Sequence, residues 1–143
     1  MTPRYEFGYG LTYSNFSYSD FSIDLNTNVT AQSGLNANAT AQSDLFDTVA
    51  TVSIRVANTG NYSTAEVSQL YLQIPGASTR ALRGFTKTAL APDASQPVTF
   101  GLRKKDISEW DVVLQQWVQP KGTYQVMVGA SVLDVKLQGT FSL

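Results

Sequence analysis

Thr48-Val-Ala-Thr-Val-Ser-Ile-Arg-Val-Ala-Asn58 is the stretch that decides the fold. Its apolar and polar residues alternate: Ala50, Val52, Ile54 and Val56 share one face of an extended chain, and Thr51, Ser53 and Arg55 share the other. Because successive side chains of a strand point to opposite faces, this pattern predicts a half-buried β-strand. Turn residues at 58–61 then end the strand.

Similar short extended runs occur along the rest of the chain. They cover residues 16–25, 67–74, 81–90, 97–102, 112–118, 123–130 and 137–143, with turn residues between most of them. We expect the run at 67–74 to pair with the strand at 48–58, and the run at 16–25 to change face near Asp20. Seven or eight strands at this spacing, without helical periodicity, predict an all-β fold in which two antiparallel sheets form a sandwich.

Two local patterns refine this fold. Asp106 followed three residues later by Glu109 has the form of a capping box, which predicts one short helical turn near 106–110 with Asp106 as its N-cap. Tyr124 follows the turn at 120–122 and precedes inward positions of a strand, as in a tyrosine corner. The inward apolar residues are expected to include Leu70, Leu72, Leu82, Phe85, Leu90, Val98, Phe100, Leu102, Val126 and Val128.

Composition excludes several classes of function. The 143 residues are enough for one domain. Ten basic and eleven acidic residues give a net charge of −1, so the chain lacks the excess of positive charge that is typical of proteins that bind nucleic acid or an anionic membrane. Without cysteine or histidine, the chain offers no disulfide, thiol nucleophile, usual zinc site or histidine-based triad. We expect no cofactor and no metal. Because no signal peptide or membrane-length apolar run is present, we expect a soluble fragment of a longer protein.

Paired carboxylates are the one familiar catalytic arrangement that remains possible. The candidate pairs are Glu109 with Asp111, Asp20 with Asp24, and Asp44 with Asp47. Each has a plainer explanation, since Glu109 is expected to cap a turn, Asp20 and Asp24 share one face of an edge-like strand, and Asp44 and Asp47 belong to a loop. We therefore expect no catalytic residue in this chain.

Residues 26–47 form a polar insert with a ten-residue internal repeat, in which 28–35 resembles 38–45. So little apolar area cannot offset the entropy of ordering such a segment, so we predict a mobile surface loop. Asn-x-Ser/Thr sequons at Asn15, Asn28, Asn38 and Asn61 indicate a secreted glycoprotein. The alternative is that a chain rich in Ser, Thr and Asn forms sequons by chance.

Residues 1–15 form an aromatic segment that needs a partner surface. Tyr5, Phe7, Tyr9 and Tyr13 alternate along it, and each such side chain buries on the order of 150–250 Å² when it finds a partner. Trp110 and Trp117 leave two interpretations open: they form a platform that stacks on sugar rings, or both are buried in the sandwich.

The motifs together resemble the C-terminal fibronectin type III-like domain of glycoside hydrolase family 3, and are most similar to fungal secreted β-glucosidases. In chain order they are Phe7-Gly-Tyr-Gly-Leu-Thr-Tyr13, Val67-x-Gln69-Leu-Tyr-Leu72, Leu82-Arg-Gly-Phe-Thr-Lys87, Val98-Thr-Phe100, Asp106-Ile-Ser-Glu-Trp-Asp111, Pro120-x-Gly122-x-Tyr124 and Val128-Gly-Ala-Ser131. The resemblance implies an immunoglobulin or fibronectin type III-like sandwich over 16–143, with its insert at 26–47. It also implies that 1–15 is a connection from a preceding domain.

The same resemblance implies a function. In that family the catalytic Asp and Glu lie in two other domains, so the expected role is a non-catalytic accessory domain of an extracellular β-glucosidase, whose partners are the catalytic domains. The alternative is a binding module for lignin or cellulose. Its speculative contacts, which could equally be interdomain contacts, are Tyr5, Phe7, Tyr9, Tyr13, Tyr62 and Trp117.

Overall fold

A computed structural model describes the chain at residues 4, 7–8, 10, 14–26 and 46–143, together with the backbone of 39–40. In these residues the strands are β1 (Phe16–Leu25), β2 (Ala39–Thr40), β3 (Thr48–Asn58), β4 (Thr64–Gln73), β5 (Ala81–Leu90), β6 (Ser95–Arg103), β7 (Glu109–Asp111), β8 (Gln116–Val118), β9 (Thr123–Gly129) and β10 (Val135–Ser142). One short helix, α1 (Lys104–Ile107), follows β6. The chain is nearly all β, as predicted.

The strands of the described residues form three antiparallel sheets. The first has the order β1-β3-β6, the second β10-β9-β4-β5, and a small third sheet is ordered β2-β8-β7. The first two sheets pack face to face, because one apolar core contains residues from both, such as Val52 of β3 and Leu70 of β4. The predicted two-sheet sandwich is confirmed.

The predicted pairing of residues 67–74 with the strand at 48–58 is wrong. β3 pairs with β1 and β6, whereas β4 pairs with β5 and β9 in the opposite sheet. The connection at 59–63 therefore crosses from one sheet to the other. Alternation along each strand indicates which face is buried, but it does not say which strand is the neighbour.

The core follows the predicted alternation closely. Ala50, Val52, Ile54 and Val56 of β3 are at most 2% exposed, and the inward residues of β4, β6 and β9 are also buried. Tyr124 forms the predicted tyrosine corner: its hydroxyl donates to the carbonyl oxygen of Pro120 and lies 3.3 Å from that of Ile107. Burial raises the pKa of the Tyr124 hydroxyl.

The change of face at Asp20 is also confirmed. Asp20 has a φ of 56°, and the pairing of β1 with β3 shifts register between Ser19 and Ser22. The Asp20 carboxylate lies 3.2 Å from the Arg55 guanidinium of β3. One inserted residue thus lets both halves of β1 direct aromatic or aliphatic side chains toward the core.

The predicted short helical turn is present, but its start and its cap differ from the prediction, and the predicted strand at 112–118 is wrong. The helical turn begins at Lys104, and Asp106 is its third residue: the Asp106 carboxylate accepts the Arg103 backbone N–H at 2.9 Å, while Glu109 lies in β7 and caps nothing in α1. The turn therefore starts earlier, because its stabilising carboxylate reaches back to the end of β6. Residues 112–118 do not form one strand, since 112–115 are the turn of the β7–β8 hairpin.

Candidate functional site

The outer face of the four-stranded sheet is buried where an isolated sandwich would expose polar residues. Leu70 and Leu72 of β4 point into the core, so the alternate residues Gln69 and Tyr71 point outward. Nevertheless, Gln69 is only 8% exposed and Tyr71 only 1%. The cover includes the Phe7–Gly8 segment and the β9–β10 loop.

Gln69 joins these pieces through its side-chain amide. Its nitrogen donates to the carbonyl oxygens of Gly8 at 2.8 Å and Ala130 at 3.0 Å, and its oxygen accepts the Tyr71 hydroxyl at 2.5 Å. The Val132 N–H donates to the Phe7 carbonyl at 3.0 Å. We call this set of contacts the Gln69 clamp. The Gln69 clamp holds the backbone of Phe7 and Gly8 against the middle of β4.

Gly8 is required for the clamp. Its φ of 82° lies in the left-handed region, and a Cβ there would stand 2.2 Å from the Gln69 amide oxygen and 2.6 Å from the Tyr71 hydroxyl. Any other residue would be strained and would displace both partners. This explains the Phe-Gly pair of the aromatic segment in physical terms.

Apolar side chains remain exposed around the clamp. Phe7 is 65% exposed with its ring edge-on to Tyr71 at 6.4 Å, and Phe85, directly opposite Gln69 in the sheet, is 71% exposed. Leu133 follows the clamp residue Val132 and is 75% exposed. We call Phe7, Phe85 and Leu133 the outer-face patch. The prediction that Phe85 points inward is wrong, because it is Gly84 that faces Phe100 of the core.

A groove of about 420 Å³ lies beside the clamp and is lined by residues that include Gly8, Ser14, Glu66, Asp134 and Lys136. Lys136 lies 3.1 Å from the Asp134 carboxylate, so these charges are already paired. Burial raises the pKa of the Glu66 carboxyl. The described residues contain no group of three metal-ligating side chains.

The remaining predicted contact residues are not brought together. Tyr62 is 64% exposed in the β3–β4 connection, whereas Trp117 is half-buried in β8. The register of β3 with β6 puts these two places at opposite ends of the sheet, roughly 30 Å apart for strands of this length. Tyr62 and Trp117 therefore do not lie on one common contact surface. Tyr5, Tyr9 and Tyr13 lie outside the described residues.

The β7–β8 hairpin presents a second apolar surface. Trp110 and Trp117 pack edge-to-face with ring centres 5.7 Å apart, and Trp110 is 49% exposed. The hairpin turn is also exposed and apolar. Neither open interpretation of the tryptophans holds fully, because the two rings pack on each other and one remains half accessible.

The candidate carboxylates have structural partners or exposed positions. Asp20 pairs with Arg55, and the Asp111 carboxylate accepts backbone N–H groups of the hairpin turn. Asp24 and Glu109 are exposed, and Asp44 lies outside the described residues.

Of the sequons, Asn15 and Asn61 are exposed, and the Thr59 N–H donates to the Asn15 carbonyl at 2.8 Å. Asn28 and Asn38 lie outside the described residues.

Sequence reasoning missed Gln69 and Tyr71 as site residues. Their signal was present: they are a polar and an aromatic residue at outward positions of a strand whose inward residues are leucines. Only the structure shows what covers them. The described residues contain no helix long and apolar enough to cross a membrane.

Comparison with known proteins gives consistent matches. The fibronectin type III-like domain family matches residues 66–132. The Aspergillus niger protein named "Probable beta-glucosidase D" is 47% identical over 146 residues, which cover 100% of this chain and 19% of that protein. The crystal structure of β-D-glucoside glucohydrolase from Trichoderma reesei superposes with a TM-score of 0.88 at 43% identity, over 99% of this chain and 20% of that one.

A bacterial structure extends the likeness. The GH3 β-glucosidase of Bifidobacterium adolescentis matches with a TM-score of 0.76 at 26% identity, over 97% of this chain and 18% of that one. The chain therefore spans about a fifth of the length of the relatives it matches.

Proposed function

The chain belongs to the fibronectin type III-like domains of glycoside hydrolase family 3 β-glucosidases, and from this premise we propose that it is an accessory domain that packs on the catalytic domains of its parent enzyme and stabilises them. By itself the chain is not an enzyme, since it matches only the fibronectin type III-like part of its relatives.

The observation that carries this proposal is the outer-face patch beside the Gln69 clamp. Phe7, Phe85 and Leu133 each expose a large apolar side chain beside a residue of the clamp, and exposed apolar side chains grouped in this way are typical of interaction sites. The same face holds Phe7 and Gly8, which belong to the segment that we expect to be the connection from a preceding domain. A domain that is tethered at this face meets its neighbour there first.

Deletion tests the proposal. Removing residues 16–143 from the full-length parent enzyme should shorten the half-life of β-glucosidase activity at elevated temperature. A narrower test replaces Phe85 with aspartate: we expect the isolated chain to melt as before, because this side chain is 71% exposed, while the full-length enzyme is inactivated faster. Thr99→Asp, which changes an exposed residue of β6 in the other main sheet, is the matched control. An unchanged half-life after deletion would refute the stabilising role.

A polymer-binding module is the second candidate, and the half-exposed Trp110 beside Trp117 favours it. Indole faces stack on sugar rings and on aromatic polymers. Sedimentation of the chain with microcrystalline cellulose or lignin measures this function directly. Retention that is lost in Trp110→Ala supports it, and a chain that stays in the supernatant with both polymers contradicts it.

We also propose that the parent enzyme is extracellular and glycosylated at Asn15 and Asn61, since both are exposed in the structure. Expression in a secreting fungal host, followed by endoglycosidase treatment and mass measurement, tests this. Asn15→Gln and Asn61→Gln should each remove one glycan mass. An unmodified wild-type chain would contradict the proposal.

A further inference from the structure

The turn of the β7–β8 hairpin exposes three consecutive apolar residues. Val112, Val113 and Leu114 are 72%, 89% and 58% exposed, and we call them the apolar tip. Together they present on the order of 300 Å² of apolar surface, a size at which a patch is often functional. Exposed single apolar residues are common, but three in a row at the end of a projecting hairpin need a cause.

The apolar tip is held in one conformation. The Asp111 carboxylate accepts the N–H groups of Val113 and Leu114, both at 2.9 Å. Gln115 closes the turn in the left-handed region with a φ of 53°, and its side chain donates to the Val112 carbonyl at 3.1 Å. Below it, the packed indoles of Trp110 and Trp117 support the two strands. A partner would therefore pay little conformational entropy to bind the tip.

The size of the apolar tip indicates the kind of partner. Stable complexes of independent proteins bury about 800 Å² on each side, well above what this tip offers, so a second copy of the chain or a separate protein would bind it poorly. A partner in the same polypeptide needs far less, because tethering supplies an effective concentration in the millimolar range. The relatives of this chain are about five times longer, so such a partner has the necessary length of chain.

The chemistry of the apolar tip defines its binding site. Residues 112–118 carry no charge, and the three exposed side chains of the apolar tip are aliphatic. We propose that the apolar tip inserts into an apolar pocket of the catalytic domains of the same polypeptide, as a second anchor that fixes the orientation set at the outer-face patch. This inference rests on the proposed accessory function.

The test uses the full-length enzyme with Val113→Asp. We expect the half-life of activity at elevated temperature to shorten about tenfold, which corresponds to about 1.4 kcal/mol. The isolated chain with the same substitution should melt like the unmodified chain, because Val113 is 89% exposed, and this excludes misfolding as the cause. Val113→Asn is a milder second variant, and Thr99→Asp is the control, since Thr99 is exposed on β6 in the other main sheet.

The outcomes separate the two proposals. If deletion of residues 16–143 shortens the half-life but Val113→Asp leaves it within twofold, the tip is not an anchor while the accessory function stands. If Thr99→Asp shortens the half-life as much as Val113→Asp, the effect is not specific and the inference is also overturned. If deletion itself has no effect, the accessory function fails and the inference fails with it.

Discussion

Replacing Asn58 with alanine should strongly destabilise the isolated chain. Asn58 ends β3, is only 1% exposed, and uses every hydrogen-bonding position of its side-chain amide. The amide nitrogen donates to the carbonyls of Tyr62 at 2.7 Å and Leu90 at 3.0 Å. The amide oxygen accepts the Ser14 hydroxyl at 2.6 Å and the Gly60 N–H at 3.0 Å. One side chain thus joins the segment just before β1, the crossing connection and the end of β5.

The magnitude follows from the groups left without a partner. The hydrogen bonds of Asn58 to the Leu90 carbonyl and the Ser14 hydroxyl are both buried, and losing a buried hydrogen bond costs about 1–3 kcal/mol. The Tyr62 carbonyl and the Gly60 N–H are only partly buried and recover part of their loss from water. We expect a loss of about 3 kcal/mol in the free energy of unfolding. For a domain of this size that lowers the melting temperature by about 10 °C.

Thermal melts and urea titrations of the isolated chain measure this loss. Asn61→Ala is the matched control, because Asn61 is exposed and its replacement should cost less than about 0.5 kcal/mol. Asn58→Asp adds a sharper test: it keeps the acceptors but turns a carboxylate toward two carbonyls, so it should destabilise at pH 7 and recover partly below about pH 4. If Asn58→Ala melts within about 2 °C of the unmodified chain, the reasoning is wrong.

Three further predictions address the clamp, the tyrosine corner and the groove. Gly8→Ala should cost about 2 kcal/mol and increase hydrogen exchange at residues 7–8, because its Cβ displaces Gln69 and Tyr71; unchanged exchange would argue against the clamp. Tyr124→Phe should lower the free energy of unfolding, measured by urea titration, by about 1–3 kcal/mol, because the carbonyls of Ile107 and Pro120 lose their donor. An unchanged free energy of unfolding would contradict this. The pKa of Glu66 is raised in the folded chain, so ionisation of Glu66 destabilises the fold as the pH rises above about 4. Glu66→Gln should therefore have a higher melting temperature than the unmodified chain at pH 7 and lose this advantage near pH 4. An equal advantage at both pH values would refute the raised pKa of Glu66.

The sequence predicted the buried faces of the strands because alternation has a direct physical cause. Val52 and Val56 are buried since a period of two puts them on one face, and the bulge at Asp20 was visible where that period breaks. Strand pairing was less accessible. β4 lies in the opposite sheet from β3, and the buried amide of Asn58 that holds this crossing looks in the sequence like an ordinary turn asparagine.

The candidate site was predictable only in part. The aromatic segment was expected to need a partner, and Phe7 does contact the sandwich while remaining largely exposed. The outward position of Gln69 was visible in the sequence, but its burial was not, because that burial depends on Gly8, which is distant in sequence. The apolar tip was missed for a different reason: Val112 and Val113 are strong strand formers, and the Asp111 carboxylate converts them into a turn.

The Gln69 clamp has a consequence for exchanging this domain between related enzymes. A crossover placed at the start of β1 would take Gln69 and Tyr71 from one parent and the Phe7–Gly8 backbone that covers them from the other. In such a hybrid, the Phe7–Gly8 backbone of one parent must form the hydrogen bonds of the clamp with side chains of the other parent. The structural unit for recombination therefore begins before Phe7, so a library of hybrids should keep its breakpoints upstream of that residue.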